Sequence, residues 1–182
     1  TEEILTSIGG FLFATSLNLN MGYPSIPLDD AAKKILTIIV PFGSYECLTL
    51  PMGVMPATDI FQARMVHLFA GMGKSKPYPY IDDILHFKGE TFDEHLSILD
   101  DILKLLATAG MQVSAEKSRF CQESLEYLGF QLNRTGYKPL PSRIDAILRL
   151  EPPKNIKQVR AFLGTINFIK NHIKHRAQIC EP

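Results

Sequence analysis

Apolar and polar residues recur along this chain in short blocks with clear punctuation. "FLFATSLNLNMGY" (residues 11–23) alternates imperfectly and ends beside a glycine, which predicts a strand running into a turn or helix. "ILTIIVPF" (35–42) and "YECLTL" (45–50) are β-rich runs separated by Gly43-Ser44, a hairpin pattern. "LPMGVMPA" reads as loop. In "TDIFQARMVHLFAG" (58–71), Ile60, Phe61, Met65, Leu68 and Phe69 recur at helical spacing, and Gly71 suits the stop. "YPYIDDILHF" (78–87) is apolar on both sides of Asp82-Asp83 and predicts a tight hairpin with the aspartates at its turn. "TFDEHLSILDDILKLLATAG" (91–110) is the clearest helix. Thr91 and Glu94 form a capping box, and Phe92, Leu96, Leu99, Leu103 and Leu106 make one apolar stripe.

The remaining third of the chain changes character. "LEYLGFQL" (125–132) predicts a strand or hairpin, and Pro139 and Pro141 mark a linker. "SRIDAILRL" (142–150) is a short helix with a Ser142/Asp145 cap pattern, broken by Pro152-Pro153. "NIKQVRAFLGTINFIKNHI" (155–173) is a second helix, capped by Asn155 and Gln158, with Ile156, Val159, Phe162, Leu163, Ile166 and Ile169 inward. The chain is thus expected to be α+β. A mixed sheet covered by helices fills residues 1–136, and a small helical unit fills residues 137–182, with the boundary near 134–141.

Charge sharpens that division. The 182 residues have zero net charge, but residues 1–136 carry ten basic and sixteen acidic side chains, a net of −6. Residues 137–182 carry nine basic and three acidic, a net of +6. A basic helical tail has the charge to meet phosphates, but from charge alone it reads first as a solvated helical face. No apolar run reaches the length of a membrane span, so no membrane partner is expected. No targeting signal is seen, and an intracellular location is expected. "TEEIL" reads as a helix start with Thr1 as N-cap, and without an initiator Met the chain is expected to be a piece of something longer. Cys47, Cys121 and Cys180 are widely spaced and odd in number and suggest neither a disulfide framework nor a zinc site, and His172 and His175 read as a solvated helix end.

Asp82-Asp83 carries the candidate chemistry. Adjacent carboxylates repel, and burying them unpaired is costly. At a hairpin turn both can point at one hard cation such as Mg²⁺. Two such ions, about 3.5–4 Å apart, stabilise the attacking and leaving oxygens of a phosphoryl displacement. The dipeptide alone reads as well as a polar turn.

Its surroundings separate the two readings. Tyr80-Ile81-Asp82-Asp83 between apolar residues resembles the catalytic hairpin of reverse transcriptases. Before it, "SLNLNMGY" resembles that family's first catalytic strand. "PFGSYECLTLPMGVMPATDIFQARM" resembles that family's hairpin and its nucleotide-side helix. "GMQVSAEKSRF" and "LEYLGFQL" resemble its lysine-bearing segment and primer grip. "PPKNIKQVRAFLGTINFIKNHI" resembles the thumb of gypsy-type LTR retrotransposon polymerases. Five segments in matching order cover almost the whole chain.

The resemblance implies a polymerase palm with partial fingers and the start of a thumb. It implies RNA-directed DNA polymerase activity on an RNA/DNA primer–template with dNTPs and two Mg²⁺ or Mn²⁺ ions. It implies a place in a pol polyprotein with fingers, RNase H and integrase, working in a cytoplasmic particle of a retroelement. It makes Asp82 and Asp83 metal ligands, with the Leu19 backbone carbonyl beside them. Tyr23 falls at the steric gate against the ribose 2′-hydroxyl, although a lone aromatic there reads equally as core. Met52 and Gly53 fall over the incoming nucleotide, and Gln62 close to nucleotide or template. Lys117 falls where a lysine assists the pyrophosphate leaving group, and Leu128-Gly129 at the primer grip. Arg160, Lys170 and Lys174 are expected on duplex phosphates.

The chain departs from that family at its first catalytic aspartate, whose place is taken by Asn18 in "LNL". A neutral amide offers one oxygen and cannot balance two divalent cations. Losing that ligand costs on the order of 10²–10⁴-fold in rate. A weak or inactive polymerase is expected, whether by natural decay or deliberate substitution. The alternative is a non-catalytic remnant or nucleic-acid-binding palm module. Pro24, after the gate tyrosine, is expected to remove a ladder bond if that segment is a central strand.

Overall fold

A computed structural model describes residues 8, 10–20, 22–175 and 178–179. The predicted N-terminal cap at Thr1 and Cys180 lie outside the described residues. The chain places strand β1 (Ala14–Asn20) at the centre of the main sheet. After it come helix α1 (Asp30–Ile35), the hairpin β2 (Thr37–Val40) and β3 (Gly43–Glu46), and helix α2 (Ala57–Leu68). The hairpin β4 (Tyr78–Tyr80) and β5 (Asp83–His86) leads to the long helix α3 (Phe92–Thr108). Short strands β6 (Gln112–Val113) and β7 (Arg119–Gln122) follow, then β8 (Ser124–Tyr127), β9 (Phe130–Asn133) and β10 (Gly136–Pro139). Helices α4 (Pro141–Leu148) and α5 (Ile156–Phe168) come next.

The sheet is antiparallel around β1, with β5 on one edge and β6 and β7 on the other. Side chains on β1 alternate between two layers, as the pleat requires. Leu17, Leu19 and Ile84 face helices, packing with Phe61 and Met65 of α2 and Leu99, Ile102 and Leu106 of α3. Ala14 and Leu85 face the second sheet, packing with Leu125, Tyr127, Phe130 and Leu132. Each fully buried Leu, Ile or Phe contributes about 1.5–3 kcal/mol, so the sheet is clamped from both sides. The β2–β3 hairpin stands apart with Ile39 and Phe42 exposed.

Several boundaries differ from the sequence reading. The β2–β3 turn is Pro41-Phe42, because Val40 pairs with Gly43. Pro139 sits in β10, paired with Phe130, so it ends a strand and is not linker. Helix α4 starts at Pro141 with Leu140 as N-cap and no side-chain cap bond. The Ser142/Asp145 pattern goes unused because proline already satisfies the first turn. The Thr91/Glu94 capping box forms as predicted, and Asn155 caps α5 by accepting from the Gln158 amide. The inward assignment on α5 holds only in part: Ile156 is 73% exposed and Leu163 47%, while Phe162, Ile166 and Ile169 are half-buried. Amphipathic spacing there marks a face, and the described fold leaves that face open. On α3 the buried positions are His95, Leu99, Ile102 and Leu106, while Phe92 and Leu96 are exposed.

Gly89 sets the entry into α3. Its φ is +111°, and a Cβ there would lie 2.7 Å from the His95 backbone nitrogen. Neither the angle nor the helix backbone can give way cheaply. Gly89→Ala is expected to cost about 2 kcal/mol, read as a lowered midpoint in urea unfolding with an unchanged slope.

Candidate active site

The register of β1 on β5 pairs Asn18 with Asp83, and the β4–β5 turn is Ile81-Asp82. Both predicted aspartates thus reach the strand that carries the predicted first position. The Asn18 Nδ2 donates to Asp83 Oδ1 at 2.9 Å. The Leu19 amide donates to the Asp82 carbonyl at 2.8 Å, which ties the turn to the end of β1. Behind Asn18, its backbone N–H donates to the Ser118 hydroxyl at 3.0 Å, and its carbonyl accepts from the Ser114 amide at 2.8 Å.

Asp82 is left in a different state. Its Oδ1 is buried and has no hydrogen-bond partner among the described residues. Burial, and then the neighbouring Asp83 charge, hold its carboxyl above the usual carboxylate range. Gly22 lies against it: a Cβ there would be 3.4 Å from that oxygen and 2.5 Å from Phe61. The turn itself is strained, with Ile81 at φ +54°. Gln62 holds it in place. Its Nε2 donates to the Pro79 carbonyl at 2.9 Å, and its Oε1 accepts from the Ile81 amide at 2.8 Å. Both ends of the Gln62 amide are thus bonded to the hairpin backbone, a task its sequence position did not signal.

The other predicted residues are distributed around this centre. Tyr23 is buried, stacks on Phe61 at 4.8 Å and donates to the Thr58 hydroxyl at 3.4 Å. Pro24 lies in a single 3-10 turn, Tyr23–Ser25, and not in a strand. The expected loss of a ladder bond is therefore overturned, since a first-turn proline needs no amide partner. Met52 and Gly53 lie exposed in the loop before α2, Gly53 at φ +88°. Lys117 is exposed on the turn before β7. Leu128 and Gly129 form the β8–β9 turn, with φ +48° and +83°. A polar cleft of ≈ 580 Å³ runs from Asp83 to Leu128, with Lys117, Arg119, Gln122 and Gln131 on its walls. Buried Tyr127 borders it, and burial, then Asp83, push its hydroxyl up. Arg160 lies on α5, and Lys170 and Lys174 follow just beyond it.

The sequence reading missed a buried relay behind the main sheet. The His95 Nδ1–H donates to the Lys88 carbonyl at 3.0 Å, which leaves Nε2 to accept from the Thr15 hydroxyl at 2.8 Å. Thr15 in turn accepts from the Cys121 amide at 3.1 Å. His86 stacks on His95 at 4.3 Å and donates from Nε2 to the His95 carbonyl at 3.4 Å. Its Nδ1 is buried without a partner among the described residues. The relay joins β1, β5, β7 and α3. Only a histidine at a helical position and one within an apolar strand could have signalled it.

Comparison with known proteins agrees with this geometry. Residues 3–132 match the family model described as reverse transcriptase (RNA-dependent DNA polymerase). The chain belongs to that family. It is 36% identical over 179 residues to the retrovirus-related Pol polyprotein from transposon gypsy of Drosophila melanogaster, covering 98% of this chain and 17% of that polyprotein. It is 30% identical over 182 residues to the transposon Tf2-3 polyprotein of Schizosaccharomyces pombe, covering 100% of this chain and 14% of that polyprotein. The chain thus spans less than a fifth of either. Among solved structures, it is similar to the foamy viral protease-reverse transcriptase in complex with double-stranded DNA. That match has TM-score 0.87 and 28% identity over 98% of this chain and 31% of the other. The same viral protein in complex with an RNA/DNA hybrid matches at TM-score 0.76 and 28% identity, over 91% and 22%. The α+β fold is that of a polymerase palm, as expected.

Proposed function

We propose that this chain is the palm and first part of the thumb of a retroelement reverse transcriptase whose two-metal site Asn18 has disabled. Residues 1–136 are the palm with partial fingers, and 137–182 begin the thumb. The observation that carries this reading is the Asn18–Asp83 hydrogen bond. An aspartate at position 18 would set carboxylate against carboxylate, an arrangement that needs a cation between them. The amide supplies the positive end itself and satisfies Asp83 without metal. Asp82 still has a buried, unpartnered oxygen, which suits one hard divalent ion.

The donor set therefore fits one Mg²⁺ or Mn²⁺ at Asp82 and Asp83, and the second ion lacks a balancing charge. When bound, such ions neutralise the charge that develops on the transferring phosphoryl group. The chain's own residues orient what surrounds that chemistry. Gln62 and Leu19 fix the hairpin backbone, and Gly22 leaves room beside Asp82. Tyr23, seated on Phe61, closes the ribose side, while Met52 and Gly53 border the dNTP. Lys117 faces the leaving group, Leu128-Gly129 holds the primer end, and Arg160, Lys170 and Lys174 meet duplex phosphates. The remaining fingers, RNase H and integrase of the polyprotein are its working partners.

Manganese titration followed by electron paramagnetic resonance tests the reading. One tight ion is expected for the chain, none for Asp82→Asn, and two for Asn18→Asp. Equal stoichiometry in the chain and Asn18→Asp would overturn it.

A further inference from the structure

The β8–β9 turn is held from outside the sheet as well as from within it. Leu128 and Gly129 both have positive φ, the geometry of a two-residue type I′ hairpin. A Cβ on Gly129 would lie 3.0 Å from Cζ of Phe168, the last residue of α5. The same Phe168 ring stacks on Phe130 at 4.8 Å and 25°. The Arg143 guanidinium from α4 sits 5.8 Å from the Phe168 ring. Just beyond, His172 lies edge-on to Tyr137 at 5.1 Å, and its Nε2 donates to the Tyr137 carbonyl at 3.3 Å. The Leu140 amide donates to the Gly129 carbonyl at 3.2 Å. No residue of α5 is fully buried, and Phe168 itself is 42% exposed, with one face of its ring on Phe130.

We propose that Phe168 is a positioning residue that locks the Leu128–Gly129 turn to α5, so that turn and helical unit move as one body. Gly129 then has two tasks: it adopts the left-handed turn, and by lacking a Cβ it lets the ring close over the backbone. An aromatic stack of this kind stabilises beyond area burial alone, enough to bias a turn between seated and free states. This rests on the reading that the turn holds the primer end. It adds that the helical unit, by seating on the duplex, sets where the primer terminus is held.

Two readouts separate the lock from the primer assignment. The first is amide hydrogen exchange of the 182-residue chain without nucleic acid or metal. Phe168→Ala is expected to speed exchange about tenfold in a peptide spanning 124–133, with 14–20 and 83–86 unchanged. Phe168→Met, which keeps apolar contact without the stack, is expected to fall between. Faster exchange in α5 alone would overturn the lock. Should Phe168→Ala unfold the whole chain, Phe168→Met against the parent decides by the same criterion. The second readout is KM for primer–template in an Asn18→Asp background joined to full fingers. Phe168→Ala is expected to raise KM about tenfold with kcat nearly unchanged. Altered exchange with unaltered KM would leave the lock standing and overturn its role on the primer.

Discussion

Restoring the carboxylate by Asn18→Asp, in the chain joined to full fingers, is expected to raise primer extension on an RNA template by on the order of 10²–10⁴-fold with Mg²⁺. The register places position 18 directly opposite Asp83, so the new carboxylate lands where the amide now bonds. The same change is expected to destabilise the chain without metal. A hydrogen bond to a charged group, worth about 1.5–3 kcal/mol, is exchanged for like-charge repulsion. Thermal unfolding in EDTA should therefore fall for Asn18→Asp, and millimolar Mg²⁺ should restore it far more than it shifts the parent. Equal extension by both proteins would remove Asn18 from the ligand position. Failure of both would move the defect elsewhere, and Pro24 is a poor place for it, since that residue starts a helical turn.

The hairpin was legible because its signal is local. Alternating apolar residues broken by two charges admit few arrangements, and the pairing of Tyr80 with Asp83 follows from a two-residue turn. The capping box of α3 was legible for the same reason. What holds the site was not. Gln62 reaches the hairpin across 17 and 19 residues, Ser118 reaches Asn18 across 100, and Cys121 reaches Thr15 across 106. Such bonds depend on which strands become neighbours, and β6 and β7 are too short to announce themselves. The exposed side of α5 shows the converse limit: periodicity gives a face but not its cover. Asn18 was legible only against a family pattern. Its bond to Asp83, which gives that carboxylate a neutral partner, required the register.

Lowering the pH from 6.5 to 4 is expected to remove about 3 kcal/mol of folding stability through His86. Burial first, then His95, push the His86 imidazole down to about 4, with Lys88 adding to the effect and the bond to the His95 carbonyl opposing it. Above pH 6.5 the imidazole is neutral both folded and unfolded, so it contributes no slope. Between 6.5 and about 4 the unfolded chain takes the proton and the folded chain refuses it, so stability falls with pH. Below about 4 both forms are charged and the loss is complete. His95, also lowered by burial, acts in the same direction. The geometry explains the refusal: a proton on His86 Nδ1 finds no acceptor, and a proton on His95 Nε2 turns its bond with Thr15 round and takes away the acceptor of the Thr15 hydroxyl hydrogen. Urea unfolding across this range measures the slope. His86→Leu is expected to flatten most of it, and an unchanged slope in that variant would place the acid sensitivity in the carboxylates.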